Sequence, residues 1–383
     1  MRLPCPSAAV VRRLALASVL ANTAIVVTGG AVRLTDSGLG CPTWPRCTAG
    51  SYTPTAERSV HGLVEYGNRM LTFVVGLVAL AALVAVLRQR PRRRPLVRLA
   101  AAAFLGIPAQ ALLGGVTVLT GLNPWTVAAH FLLSTVIVAL TVTLWWRARE
   151  ASDRPARPVV GPELLLLGRL LVGVTAGVLM LGTVVTGSGP HAGDAAAART
   201  GFDPATMAQL HADAVMLLVG LTLATAVALR AAGTVEPVRR SAMLLLGVEL
   251  AQGGVGYLQY FTGLPVLLVG AHLLGAQLVW IAAVRLLLSM RVLQPARQRG
   301  EPPDGPTPPE PEPTAAAAVA LAGVGGGQRP AGPGGDAATW VATAAAKRSA
   351  APGEAPRKND GSVSSSSSSS GAPSGPGSRS TRA

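Results

Sequence analysis

The sequence predicts an all-α polytopic membrane protein: eight transmembrane helices arranged as two same-orientation four-helix bundles, followed by a disordered tail. Three observations predict it. Half of the 383 residues are hydrophobic and only 13% are charged, against about 25% charged in an ordinary soluble domain. Apolar runs of the roughly 20 residues that a bilayer crossing needs recur along the chain. Polar and glycine positions within those runs repeat at a fixed offset.

The runs fall at roughly 12–31, 64–87, 99–120, 127–146, 164–187, 207–229, 242–261 and 266–288. The first has the look of a signal peptide. Its closing Val27-Thr28-Gly29 matches Val185-Thr186-Gly187 at the close of the fifth, so it reads as a retained span. From Pro295 the composition turns to Pro-, Ala/Gly- and Ser-rich stretches. Such a segment buries too little apolar surface to offset its ordering entropy. The chain therefore divides into an N-terminal half, 1–150, a C-terminal half, 151–294, and a disordered cytoplasmic tail, 295–383.

The net charge is +15, of which the tail contributes only +2. The rest comes largely from arginines in the loops after the even-numbered spans: Arg88, Arg90, Arg92, Arg93, Arg94 and Arg98, then Arg147, Arg149, Arg154 and Arg157, then Arg230, Arg239 and Arg240. Basic loops stay on the cytoplasmic side. Both termini are thus expected in the cytoplasm of a cell-membrane protein, and the charge sets topology rather than a nucleic-acid surface.

Shifting the chain by 142 residues aligns spans 3–4 with spans 7–8 without a gap. Ala109-Gln110 falls on Ala251-Gln252, Gly114 on Gly256, Thr120-Gly121-Leu122 on Thr262-Gly263-Leu264, and Ala129-His130 on Ala271-His272. Shared apolar composition does not explain matches at Gln, Thr, Gly and His. An even number of spans per repeat gives both halves one orientation, unlike the inverted repeats of many transporters.

Four of the five histidines, His61, His130, His211 and His272, stand at the starts of spans 2, 4, 6 and 8, on the predicted outer side. Imidazole is the commonest metal ligand, and two His on facing helices can hold a heme iron from both sides. Gly114-Gly115, and Gly253-Gly254 with Gly256, either admit a flat macrocycle to the backbone or simply pack helices. His191 lies in a loop and ranks below these four. Cys41 and Cys47 sit in the first outer loop, where a disulfide or free thiols are both open. His61, Glu65 and Asn68 share one helix face. Glu65 is placed either to accept a proton or to pair with Arg69 at i+4. Glu249, deep in span 7, and Asp213 are unassigned.

Three stretches carry a resemblance: Leu34-Thr35-Asp36-Ser37-Gly38-Leu39-Gly40-Cys41-Pro42-Thr43-Trp44-Pro45, Glu65-Tyr66-Gly67-Asn68-Arg69, and Thr186-Gly187-Ser188-Gly189-Pro190-His191-Ala192-Gly193-Asp194. With the His of spans 4, 6 and 8, they make residues 12–290 resemble the heme A synthase family. The resemblance implies a heme b cofactor ligated by His211 and His272 in the C-terminal half. It implies a substrate site for heme O in the N-terminal half, at His130, where either His61 replaces the usual second ligand or His130 binds alone. It also implies oxidation of the C8 methyl of heme O to a formyl group by successive hydroxylations, with water-derived oxygen, for cytochrome oxidase. Glu65 matches the family's catalytic glutamate, and Cys41 with Cys47 its outer cysteine pair. A heme O synthase and an unidentified electron acceptor are the implied partners, besides the bilayer.

One position departs from the family pattern. Asn68 stands where many members carry a histidine ligand, and His61 lies seven residues earlier on the same face, about 10 Å away. Two other readings remain at this level: a di-heme b-type cytochrome that only passes electrons, which does not need Glu65, and a transporter of heme or a similar amphipath.

Overall fold

The structure is a computed structural model that describes residues 5–55, 59–150 and 156–293. The predicted tail, 295–383, lies outside the described residues. Among those described, eight helices follow in order: α1 (Ala8–Leu34), α2 (Ser59–Arg88), α3 (Arg94–Leu119), α4 (Pro124–Ala148), α5 (Pro162–Ser188), α6 (Pro204–Ala231), α7 (Glu236–Phe261) and α8 (Val266–Ser289). Each is long and apolar enough to cross a bilayer.

The helix starts follow from local chemistry. Ser7, Asn123 and Asp203 each accept a hydrogen bond from a backbone N–H of the first turn, satisfying donors that have no partner within the helix. Proline in the first turn of α3, α4, α5, α6 and α7 costs no hydrogen bond there. Helix α2 begins at Ser59 rather than near residue 64. Hydropathy registers the lipid-exposed stretch, whereas the backbone ladder starts earlier.

The 142-residue repeat is visible in the backbone. The α3–α4 and α7–α8 connections turn alike: Leu122 N–H donates to Thr117 and Leu264 N–H to Gln259, at 2.9 and 2.8 Å. Gly121 and Gly263 have φ of +61° and +77°, and Leu122 and Leu264 of +59° and +60°. Left-handed backbone suits glycine. The leucines adopt it because the tight turn holds them there.

Helices α1 to α4 each pack against the next, and α4 returns to α1; α5 to α8 do the same. The core among α5–α8 is built on Leu171, Leu218, Leu229, Leu245 and Leu286. One end of α1–α4 is filled by Val11, Val86, Leu96 and Leu144. Contacts of α1 and α4 with α8, and of α4 with α5, join the two sets. There Val19, Val138, Val142, Leu179 and Trp280 are buried together, and the Trp280 indole donates to the Thr135 carbonyl at 2.8 Å. Outward faces are apolar: Phe73 is 72% exposed and Leu267 86%, as lipid-facing positions must be.

One element was not expected in an all-α reading. Residues Ala156–Pro158 pair antiparallel with Arg291–Leu293, tying the start of the second set of helices to its end.

Candidate functional site

Three histidines share one arrangement. His130 of α4, His211 of α6 and His272 of α8 each lie over a glycine of the preceding helix. A Cβ built on Gly114, Gly182 or Gly256 would meet the ring Cε1 at 3.0, 3.3 and 3.2 Å respectively. Glycine is needed because alanine would push each ring aside. The Nδ1 of all three rings is buried without a hydrogen-bond partner, and such a group calls for an explanation.

Glutamines fix two of these helix starts. Gln110 Nε2 donates to the His130 carbonyl at 2.9 Å and also to the Ser134 hydroxyl. At the equivalent place Gln252 Nε2 donates to the His272 carbonyl at 2.7 Å. The repeat revealed Gln110 and Gln252 as matched positions, but not that they anchor the histidine-bearing turns.

His211 and His272 face each other with ring centroids 6.5 Å apart and planes at 70°. A metal–imidazole bond is about 2 Å, so two rings gripping one ion from opposite sides have centroids roughly 6 Å apart. Gly253 and Gly254 on α7 meet nothing within 4 Å of an added Cβ. These residues fit an iron held between two imidazoles. In the other half both glycines of the 114–115 pair are covered. Gly114 takes the His130 ring, and Gly115 lies under the Trp44 indole, which reaches in from the first outer loop.

His61 and Asn68, the two candidates for a second N-terminal ligand, sit differently. His61 is exposed, with Nδ1 3.0 Å from the Ser37 hydroxyl. If Nδ1 carries the proton, Nε2 keeps the lone pair a metal needs. Asn68 Oδ1 accepts from Thr28 at 2.8 Å, and its amide stands over Gly29. Asn68 thus serves contact between α1 and α2.

Glu65 is buried, at 5% exposure, and both its oxygens are engaged. Oε2 accepts the Cys41 N–H at 2.6 Å. Oε1 accepts Arg69 Nε at 3.1 Å and an Arg69 terminal nitrogen at 2.5 Å. Arg69 also donates to the carbonyls of Cys41, Thr43 and Arg46 at 2.8, 3.0 and 3.3 Å. The i+4 pairing is therefore present, and it clamps the loop closed by the Cys41–Cys47 disulfide. Gly40 lies so close to the His61 carbonyl that a Cβ would overlap it, which seats this loop on the first turn of α2. Oε2 retains one free lone pair, since a carboxylate oxygen has two acceptor sites.

His191 is a tie between loops. Its Nε2 lies 3.1 Å from the Leu264 carbonyl, and its own carbonyl accepts Arg33 Nε at 2.6 Å. Arg33 also reaches the Thr186 carbonyl at 2.9 Å, and Gly38 N–H donates to Gly193 at 2.8 Å. Sequence alone did not single out Arg33 for this role, because its partners lie more than 150 residues away.

Glu249 is 3% exposed in the middle of α7. Its Oε1 accepts the Thr222 hydroxyl at 2.9 Å, while Oε2 has no partner. Asp213 accepts from Gln209 at 2.7 Å on the exposed side of α6.

A family model described as cytochrome oxidase assembly protein matches residues 12–284. A heme A synthase of Symbiobacterium thermophilum is 37% identical over 152 residues, 37% of this chain and 49% of that protein. A heme A synthase of Lysinibacillus sphaericus is 34% identical over 131 residues, 34% of this chain and 42% of that protein. A protoheme IX farnesyltransferase of Haloquadratum walsbyi is 28% identical over 140 residues, 36% of this chain and 28% of that protein. The chain spans about half the length, or less, of the curated relatives it matches. Because the family model covers all eight helices nearly end to end, the chain belongs to the cytochrome oxidase assembly protein family, as a multi-pass membrane protein.

Proposed function

We propose that this protein is a heme A synthase, converting the C8 methyl of heme O to a formyl group. The observation that carries the reading is the facing pair His211 and His272, 6.5 Å apart, in a chain whose relatives include heme A synthases. His211 and His272 hold a heme b in the C-terminal half, and bound there it supplies a one-electron relay. The substrate heme O sits in the N-terminal half, its iron held by His130 from α4 and by His61 from α2. The Ser37 contact on His61 Nδ1 is the kind of outer partner that orients a ligating imidazole.

Each hydroxylation adds an oxygen from water and releases two electrons and two protons, one proton from the methyl carbon and one from the water; loss of water from the second product leaves the formyl group. Glu65 accepts a proton at the free lone pair of Oε2, while Arg69 holds the carboxylate in place. Electrons leave to a separate acceptor. A heme O synthase, the protoheme IX farnesyltransferase type, supplies the substrate. The arginine-rich loops support cytoplasmic termini, with the disulfide on the opposite, oxidising side.

The engagement of both Glu65 oxygens favours one second reading, a di-heme b-type cytochrome in which Glu65 only holds the loop. Glu65→Gln separates the two. We expect heme A to vanish and heme O to accumulate, read by chromatography of extracted hemes. Heme A at the wild-type level would sink the catalytic role and leave the cytochrome.

A further inference from the structure

We propose that the cleft between the N-terminal end of α1 and the C-terminal end of α4 is a headgroup site for an anionic phospholipid. The cleft has a volume of about 260 Å³ and is lined by Ala9, Arg12, Arg13, Leu16, Trp145 and Arg149. Three of these six residues are arginines and none is acidic. Arg12 and Arg13 are exposed and form no ion pair among the described residues. The nearest acid in sequence, Glu150, is taken by Arg147 at 3.3 Å.

Arg149 is held ready. Its guanidinium lies over the Trp145 and Trp146 rings, 5.1 and 5.4 Å from their centroids. Cation–π stacking orients the fork without using its hydrogen-bond donors. The Nε of Arg285 on α8 is buried without a partner. Unneutralised arginines pressed together destabilise the fold unless an anion joins them.

Geometry selects a lipid over a free anion. The floor of the cleft is apolar, and Leu16 is followed one turn deeper by Leu20, 38% and 62% exposed. This strip runs from the arginines along α1 toward the bilayer, where an acyl chain lies. Tryptophan at the same level is typical of the headgroup boundary, and basic pockets between helix ends bind anionic headgroups. The inference does not rest on the heme assignment.

The test uses the full chain purified from membranes with mixed phosphatidylglycerol and phosphatidylcholine, with retained lipid quantified by mass spectrometry. Phosphatidylglycerol should be enriched on the wild type. Arg12→Gln with Arg13→Gln should lower its retention at least about tenfold. Arg239→Gln with Arg240→Gln, a pair that bridges to Glu236 outside the cleft, should leave it unchanged. Arg12→Lys with Arg13→Lys keeps the charge and should keep most of the lipid. Equal retention in wild type and the glutamine pair would overturn the proposal. So would loss in the lysine pair as complete as in the glutamine pair, or displacement of the lipid by millimolar inorganic phosphate.

Discussion

His211 and His272 stand on helices α6 and α8 with their rings 6.5 Å apart and their Nδ1 atoms buried without partners. A pair so placed is expected to act as one ligand set. Either His211→Ala or His272→Ala should lower the heme content of the purified protein at least about tenfold, because one imidazole alone leaves the iron half-coordinated. Changing both should add little to either single change, since the pair shares one ligand. Absorbance per mole of protein measures it. Equal heme content in wild type and both single variants would remove the pair as ligands.

Much of this arrangement was legible before the structure, and the reason differs by residue. The eight helices were readable because a bilayer demands long apolar runs. Helix ends were less so, since Ser7, Asn123 and Asp203 cap helices through backbone chemistry that hydropathy does not register. The repeat marked Gln110 and Gln252, yet the sequence does not say where a glutamine side chain reaches. The Glu65–Arg69 pair was readable from its i+4 spacing. The reach of Arg69 to Cys41, Thr43 and Arg46 was not, because those carbonyls belong to a loop 23 to 28 residues away. The ribbon between Ala156–Pro158 and Arg291–Leu293 left no signal, being three residues long with its partner at the far end of the repeat.

Gly256→Ala should separate stability from heme binding. Alanine in a helix interior is favoured over glycine by about 1 kcal/mol. The added methyl would meet the His272 ring at 3.2 Å, so the ring must shift by a few tenths of an ångström. The thermal midpoint should stay level or rise while heme content falls. Gly253→Ala, which meets nothing within 4 Å, should raise the thermal midpoint of the protein without heme by the same propensity. A Gly256→Ala protein with full heme would show that the ring tolerates the displacement.

Asp203 gives a pH dependence with a definite sign. Its carboxylate caps α6 by accepting from Thr206 N–H and Oγ1 at 2.8 and 2.7 Å. These bonds hold its pKa below the ordinary 3.8. A depressed pKa contributes stability that is complete above the unfolded value and is lost as pH falls through the folded value. The cap should therefore act unchanged from neutral pH down to about 4 and fade below that. Thermal midpoints of wild type and Asp203→Asn, compared across that range, check it. Asparagine caps at every pH, so the two curves should run parallel above pH 4 and diverge below. Divergence that begins near neutral pH would point to another group.

Arg69 distinguishes the scaffold role of the Glu65 pair from its chemical role. Removing the guanidinium by Arg69→Ala leaves a buried carboxylate and three carbonyls, those of Cys41, Thr43 and Arg46, without their donor. The cost should be about 2–3 kcal/mol, since the pair is largely buried and charge-assisted. The 41–47 loop should loosen, read as faster proteolysis or faster reduction of the disulfide. Glu65→Gln keeps a hydrogen-bond acceptor for Cys41 N–H and should disturb the loop less, while removing the proton acceptor. The two variants should therefore part: Arg69→Ala losing loop protection first, Glu65→Gln losing heme A first. If Glu65→Gln loosens the loop as much as Arg69→Ala does, any loss of heme A follows from the loop and the separate proton role fails.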